Sequence, residues 1–193
     1  MTTNRLEAFS DGVLAIIITI MVLEMKAPEG ASWAELKQVL PKFVSYVLSF
    51  IYIGIYWNNH HHLFQAIEKV NGKLLWANLF LLFTLSLIPF TTAWMGENAF
   101  KNNPVVVYGI NLLACAIAFV ILEKTAIQYE GETSKLKIAL GNKSKEIISA
   151  ITYLLGTTLS FFEPIIGLLC YVAVAILWLI PDKRIEETLE KIE

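Results

Sequence analysis

Charge is scarce in this chain. Only 17% of its 193 residues are Asp, Glu, Lys or Arg, against about 25% in an ordinary soluble domain. The net charge of −2 leaves no basic footprint for nucleic acid. Cysteine is almost absent: Cys115 and Cys170 both sit in apolar runs, without metal-ligand spacing or a disulfide framework, and read as packing residues. There is no TVGYG-type loop, no phosphate-binding glycine loop, no nucleophile motif, no internal repeat and no low-complexity tract. What remains is apolar. Hydrophobic residues make up 56% and mean hydropathy is +0.59, which points to the bilayer.

Six apolar segments can be drawn, at 8–25, 43–64, 74–95, 105–122, 146–162 and 165–180. Each approaches the roughly 20 residues that cross about 30 Å of hydrocarbon. The connectors between them hold the charge and turn residues. "SWAE" at Ser32–Glu35 has the spacing of a capping box and predicts a short surface helix ending before Pro41. The expectation is one integral membrane domain over residues 1–193, all α, with six transmembrane helices. The first segment is short enough for a signal peptide, but Asp11 interrupts its approach and no small-residue cleavage site follows Met25. With the N-terminus inside, Lys26, Lys37, Lys42 and Lys101 are the outer basic residues and the remaining 11 of 15 are inner. The positive-inside rule then places both termini in the cytoplasm.

Ionisable groups inside membrane segments are costly, and they tend to face a bundle interior or a wet path. Three polar clusters fall at a similar predicted depth: Arg5, Ser10 and Asp11 on the first helix; "YWNNHHHLF", Tyr56 to Phe64, on the second; Trp76 and Asn78 on the third. Together they can satisfy one another's donors and acceptors, which a lone group cannot. Trp57 and Trp76 also suit an interfacial belt, and Arg5 a snorkelling flank; an aspartate cannot snorkel far. The three adjacent histidines suggest metal, but neighbours on a helix diverge by about 100°, whereas helical metal pairs favour i, i+4. Bonds from His60 or His61 to the first helix are the better expectation, with His62 as a third candidate.

Taking Asp11 as zero on a helical wheel, Thr19 falls near 80°, Gly12 near 100°, Leu23 near 120°, Ile16 near 140° and Ile20 near 180°. Ile16, Ile20 and Leu23 thus form a stripe with one hydroxyl beside it. Ser10, Val13, Leu14, Ile17 and Met21 occupy much of the other side and are free to pack on neighbouring helices. Such a stripe is ordinarily lipid-facing or core, and spacing alone does not make it a pore.

These residues resemble a known family. "RLEAFSD" fits the Arg-x-x-x-Phe-Ser-Asp signature of the lysosomal potassium channels that lack a P-loop filter, together with their prokaryotic homologues. "WNNHHHLF" is similar to that family's Trp-x-x-His-His-x-x-Phe stretch, and "WANLFLLFTLSLIPF" to its third-helix segment. The resemblance implies a homotetramer, since prokaryotic members carry one six-helix repeat and animal members two. It implies that the first helix lines the pore, with Ile16, Ile20 and Leu23 as the constriction and Thr19 close by. It also implies that Arg5, Ser10 and Asp11 lock that helix to the next two through His60 or His61, Trp76 and Asn78.

The expected function is a multi-pass, plasma-membrane potassium leak channel of modest selectivity, with no cofactor, potassium as the permeant ion, and no soluble or nucleic-acid partner. Apolar rings gate by dewetting, and without a carbonyl cage strong selectivity is not expected. The alternative is a proton-coupled transporter or proton leak using Asp11 and the histidines. A membrane enzyme built on the His cluster with Asp11 or Glu68 lacks a supporting motif.

Overall fold

In hydrocarbon the helix is self-sufficient in backbone hydrogen bonds, so what a membrane chain must specify is how its helices meet. The structure, a computed structural model, describes residues 3–67, 70–130 and 143–179. Among them are seven helices: α1 (Thr3–Leu23), α2 (Trp33–Gln65), α3 (Gly72–Ser86), α4 (Ile88–Glu97), α5 (Asn102–Glu130), α6 (Ser144–Leu159) and α7 (Pro164–Leu179). Only Leu87 separates α3 from α4, and together they form one apolar stretch, Gly72–Glu97. That stretch, α1, α2 and α5 are long and apolar enough to cross a membrane. The last two helices are 16 residues each, close in length to the segments drawn for them and short of the roughly 20 residues that cross the hydrocarbon. Lys69, Lys135, Lys137, Lys183, Arg184 and Lys191, which entered the expected orientation, lie outside the described residues, as do Glu68 and Ile180.

The second span begins earlier than predicted. Ser32 and Glu35 do form a capping box: the Glu35 N–H donates to Ser32 Oγ at 3.3 Å and the Ser32 N–H to Glu35 Oε2 at 3.0 Å. The helix does not stop before Pro41, however; α2 runs through it for 33 residues. Pro41 has no N–H for the Lys37 carbonyl, so this turn is held from outside. Gly96 of α4 lies so close that a Cβ there would sit 2.8 Å from Lys42 Cα, and Lys42 Nζ meets Glu97 Oε1 at 3.0 Å.

The break between α3 and α4 follows from Pro89, which cannot donate to the Leu85 carbonyl. Buried Asn111 of α5 spans the break. With its amide nitrogen towards Thr84, it donates to that carbonyl at 3.0 Å and accepts the Ile88 N–H at 3.2 Å. Beyond α4 the chain reverses through Ala99 (φ 46°) and Phe100 (φ 60°), a left-handed turn closed by the Phe100 N–H on the Met95 carbonyl at 3.1 Å.

α5 is the central helix and packs on α3, α4, α6 and α7, whereas α1 packs on α2, α3 and α4. Tyr108, Leu112, Cys115 and Leu122 of α5 are fully buried. Membrane helices gain little from leaving lipid, so close backbone approach and interhelical hydrogen bonds carry the association. Gly109 leaves room for the Tyr171 hydroxyl and for Thr157 Oγ1. Gly156 and Gly167 let α6 and α7 close on each other. Tyr171 Oη in turn donates to the Val105 carbonyl at 3.3 Å.

Gly167→Ala tests this packing. Its Cβ would meet Ser160 Oγ and, at 2.8 Å, the Gly156 carbonyl oxygen; the second is backbone and cannot swing away. A loss of about 1–3 kcal/mol is expected, read as a lower thermal midpoint of the detergent-solubilised protein. An unchanged midpoint would show that α6 and α7 are free to separate.

Candidate functional site at the foot of the first helix

The antiparallel pair α1 and α2 meets through a ladder of polar rungs. Thr3 Oγ1 donates to the Ile67 carbonyl at 3.3 Å. His61 Nδ1 meets Glu7 Oε1 at 2.6 Å, and Trp57 Nε1 donates to Asp11 Oδ1 at 3.0 Å. Glu7 and Asp11 are four apart, as are Trp57 and His61, so each pair presents one face of its helix. Gln65 Nε2 lies 2.9 Å from His61 Nε2. As donor there, it makes Nε2 the acceptor of the ring and Nδ1–H the donor to Glu7.

Deeper in the packing a second chain of bonds runs in one direction through three helices. His60 Nε2 lies 2.8 Å from Asn78 Oδ1 and donates to it. Asn78 Nδ2 donates to Ser10 Oγ at 3.0 Å, and Ser10 Oγ donates to the Leu6 carbonyl at 2.9 Å. Ser10 and Asn78 are 0% exposed and His60 1%. The order of donors fixes the His60 proton on Nε2. Its Nδ1 is buried with no partner, while the ring stacks on Phe64 at 4.3 Å between centroids. A buried polar group costs most when unmade, so this chain of bonds tolerates no other rotation of α1.

Of the residues expected from the sequence, Ser10, His60 and Asn78 therefore meet in one chain of bonds, and Asp11 and His61 stand in the ladder beside it. Arg5 is exposed and has no side-chain partner among the described residues, and Trp76 is 75% exposed and stands outside these bonds. Trp57 lay within the expected second-helix cluster without being given a partner, and Glu7 is the participant that sequence reasoning missed; the i, i+4 spacings of Glu7 with Asp11 and of Trp57 with His61 were the available signal. Among the described residues, no three of His, Cys, Asp and Glu converge to hold a metal ion.

The rotation set here divides α1 in two. Leu6, Ser10, Leu14, Ile17 and Met21 are buried. Ile16, Ile20 and Leu23 are 58%, 41% and 76% exposed, and Thr19 is exposed beside them. The centres of the two faces are about 130° apart. Thr19 Oγ1 donates back to the Ile16 carbonyl at 2.9 Å, so the hydroxyl hydrogen is spent within the helix and its lone pairs face outward. On the edge of the stripe, an open groove of about 490 Å³ runs between α1 on one side and α4 with the end of α3 on the other, with Ile16, Ile20, Ser86, Pro89 and Phe90 in its walls.

This is the architecture of a helical membrane channel. It superposes on the crystal structure of a lysosomal potassium-selective channel TMEM175 homologue from Chamaesiphon minutus with a TM-score of 0.82, at 28% identity, over 93% of this chain and 97% of that one. A potassium channel of a Chryseobacterium species is 62% identical over 99% of this chain and 100% of its own length. Residues 5–89 match the family described as endosomal/lysosomal potassium channel TMEM175. The chain belongs to that family. An endosomal/lysosomal proton channel TMEM175 of Danio rerio is 33% identical over 62% of this chain and 23% of its own.

Asn78→Leu removes both bonds at the centre of the buried chain and leaves the Ser10 hydroxyl and His60 Nε2 without their Asn78 bonds. A loss of about 2–5 kcal/mol is expected, two groups at about 1–3 kcal/mol each partly offset by relaxation. Trp76→Leu, outside these bonds, is expected to change the midpoint little. Equal effects would show that the chain of bonds does not position α1.

Proposed function

We propose that four copies of this chain surround an aqueous path lined by α1 and let potassium cross the plasma membrane in preference to sodium. The observation that carries this reading is the split of α1. One face is locked to α2 and α3 by buried polar bonds, and the opposite face offers Ile16, Thr19, Ile20 and Leu23 to something outside the chain. The groove between α1 and α4 is where a neighbouring copy's first helix packs. Arg5 and Trp76, exposed in the chain alone, join the lock only through that assembly. In this reading both ends of the chain are cytoplasmic and residues 1–193 form one domain.

Rings of Ile16, Ile20 and Leu23 extend about 10 Å along the axis at 1.5 Å per residue. Such a constriction excludes water unless the helices turn or part slightly. An ion passing it sheds part of its water shell with only the Thr19 oxygens as polar company. Potassium gives up water more readily than sodium, so a weakly coordinating path favours it, and rubidium and caesium pass as well. A second reading, a proton leak or proton-coupled carrier, is supported by the continuous bonds from His60 to the Leu6 carbonyl and by the Glu7–His61–Gln65 chain.

Cation flux into proteoliposomes separates the two. Wild type is expected to pass potassium over sodium. Ile16→Asn and Leu23→Asn are expected to raise flux about tenfold, the effect of lowering a barrier by roughly 1.4 kcal/mol, or to erase the preference. Silence from wild type and both variants, alongside a dissipated proton gradient, would put the proton reading first. A potassium–sodium bi-ionic reversal potential near zero would overturn the preference itself.

A further inference from the structure

α2, α5, α6 and α7 enclose a cavity of about 320 Å³ to which α1 contributes no residue. Its charged residues lie at one end. On α2 the lining runs from Asn59 down to Tyr52, on α5 from Lys124 down to Ala116, and on α6 from Glu146 to Tyr153. α6 runs opposite to α2 and α5, so Asn59, Lys124 and Glu146 share one end, with Ile147 and Trp178 beside them, and Tyr52, Ala116 and Tyr153 line the other. Each helix gives a depth of about 10–12 Å at 1.5 Å per residue. The cavity opens sideways, because Ile117, Ile121 and Ile147 on its lip are 49%, 41% and 58% exposed. Its far wall is fixed. Trp178 Nε1 donates to Ser149 Oγ at 2.8 Å, and Lys145 Nζ caps the Trp178 ring at 5.7 Å from its centre.

The rim holds one group that the fold leaves unused. Glu146 Oε2 is buried and has no hydrogen-bond partner, while the Lys124 ammonium stands exposed at the same level. A ligand that suits this cavity carries a cation with N–H donors for Glu146, an anion for Lys124 and an apolar tail entering from the side. We propose that the cavity is a binding site for a phospholipid whose headgroup joins a phosphate to a primary ammonium, of the phosphatidylethanolamine class. The tail lies along Ile55, Tyr56, Val120 and Tyr153; the phosphate meets Lys124; the ammonium donates to Glu146. Tyr56 lines the site one helical turn before His60, so an occupied cavity braces α2 beside the bonds that hold α1. The site itself stands whether or not α1 lines a pore.

Native mass spectrometry of the full chain in detergent tests this, with phosphatidylethanolamine, phosphatidylcholine and phosphatidylglycerol of one acyl composition offered in turn. Phosphatidylcholine keeps both charges but has no N–H, and phosphatidylglycerol has no cation. Wild type is expected to retain phosphatidylethanolamine about fivefold better than either, the worth of one partly exposed charge-assisted hydrogen bond. Glu146→Gln is expected to remove most of that preference, and Ala116→Phe, which fills the deep end, to reduce retention of all three. Equal retention of the three lipids by wild type, or strongest retention of phosphatidylglycerol, would overturn the proposal, as would unchanged retention in Ala116→Phe. The wild-type ranking needs no variant to fold.

Discussion

A helix surrounded by lipid has no solvent to tell it which way to face. Leucine towards a neighbour and leucine towards an acyl chain are nearly equivalent, so rotation about the helix axis has to be set by polar groups that cannot be left unmade. In this protein the bonds from His60 through Asn78 to Ser10 do that for α1. They are buried, they run in one direction, and each donor is used once. Everything attributed to the exposed stripe depends on this rotation, because turning α1 by one residue's worth, about 100°, would exchange packed positions for exposed ones.

The same device recurs elsewhere in the fold. Ser49 joins Thr92 at 2.6 Å and Tyr108 at 2.9 Å, tying α2, α4 and α5. Asn111 closes the gap that Pro89 opens between α3 and α4. Tyr52 donates to the Tyr171 carbonyl at 2.6 Å and so joins α2 to α7. The bundle is held together by small polar contacts and close glycine approaches; its aliphatic residues fill the remaining space without choosing it. That explains how α1 can be fixed on one side and leave its other side uncommitted and, apart from Thr19, apolar.

Much of this was legible in the sequence, and the reason differs by element. Long apolar runs marked the four stretches that are long enough to span, since length against bilayer thickness is a one-dimensional property, while the last two helices stop at 16 residues. The packed side of α1 was readable because a helix wheel needs only the 100° step: four of the five residues expected there, Ser10, Leu14, Ile17 and Met21, are buried. Pro41 misled because its effect on α2 is decided by the approach of Gly96, a contact between residues far apart in the chain. Asn111 was invisible for the same reason. Trp57 was open between cluster and belt until α2 was placed against Asp11, and Trp76, given a place in the network by its cluster and by resemblance, stands exposed in the single chain.

The central claim is that the Ile16–Leu23 face of α1 meets water while the exposed apolar face of α6 meets lipid. Substituted-cysteine labelling reads this directly, in a background carrying Cys115→Ala and Cys170→Ala. A water-soluble cationic thiosulfonate is applied to Ile16→Cys, Ile20→Cys and Leu23→Cys, with Leu154→Cys on the exposed face of α6 as the lipid reference. The account predicts that all three α1 positions react faster than Leu154→Cys and that the reaction alters potassium flux. Reaction no faster than at Leu154→Cys, with flux unchanged, would mean that this stripe faces lipid and that the path for the ion lies elsewhere.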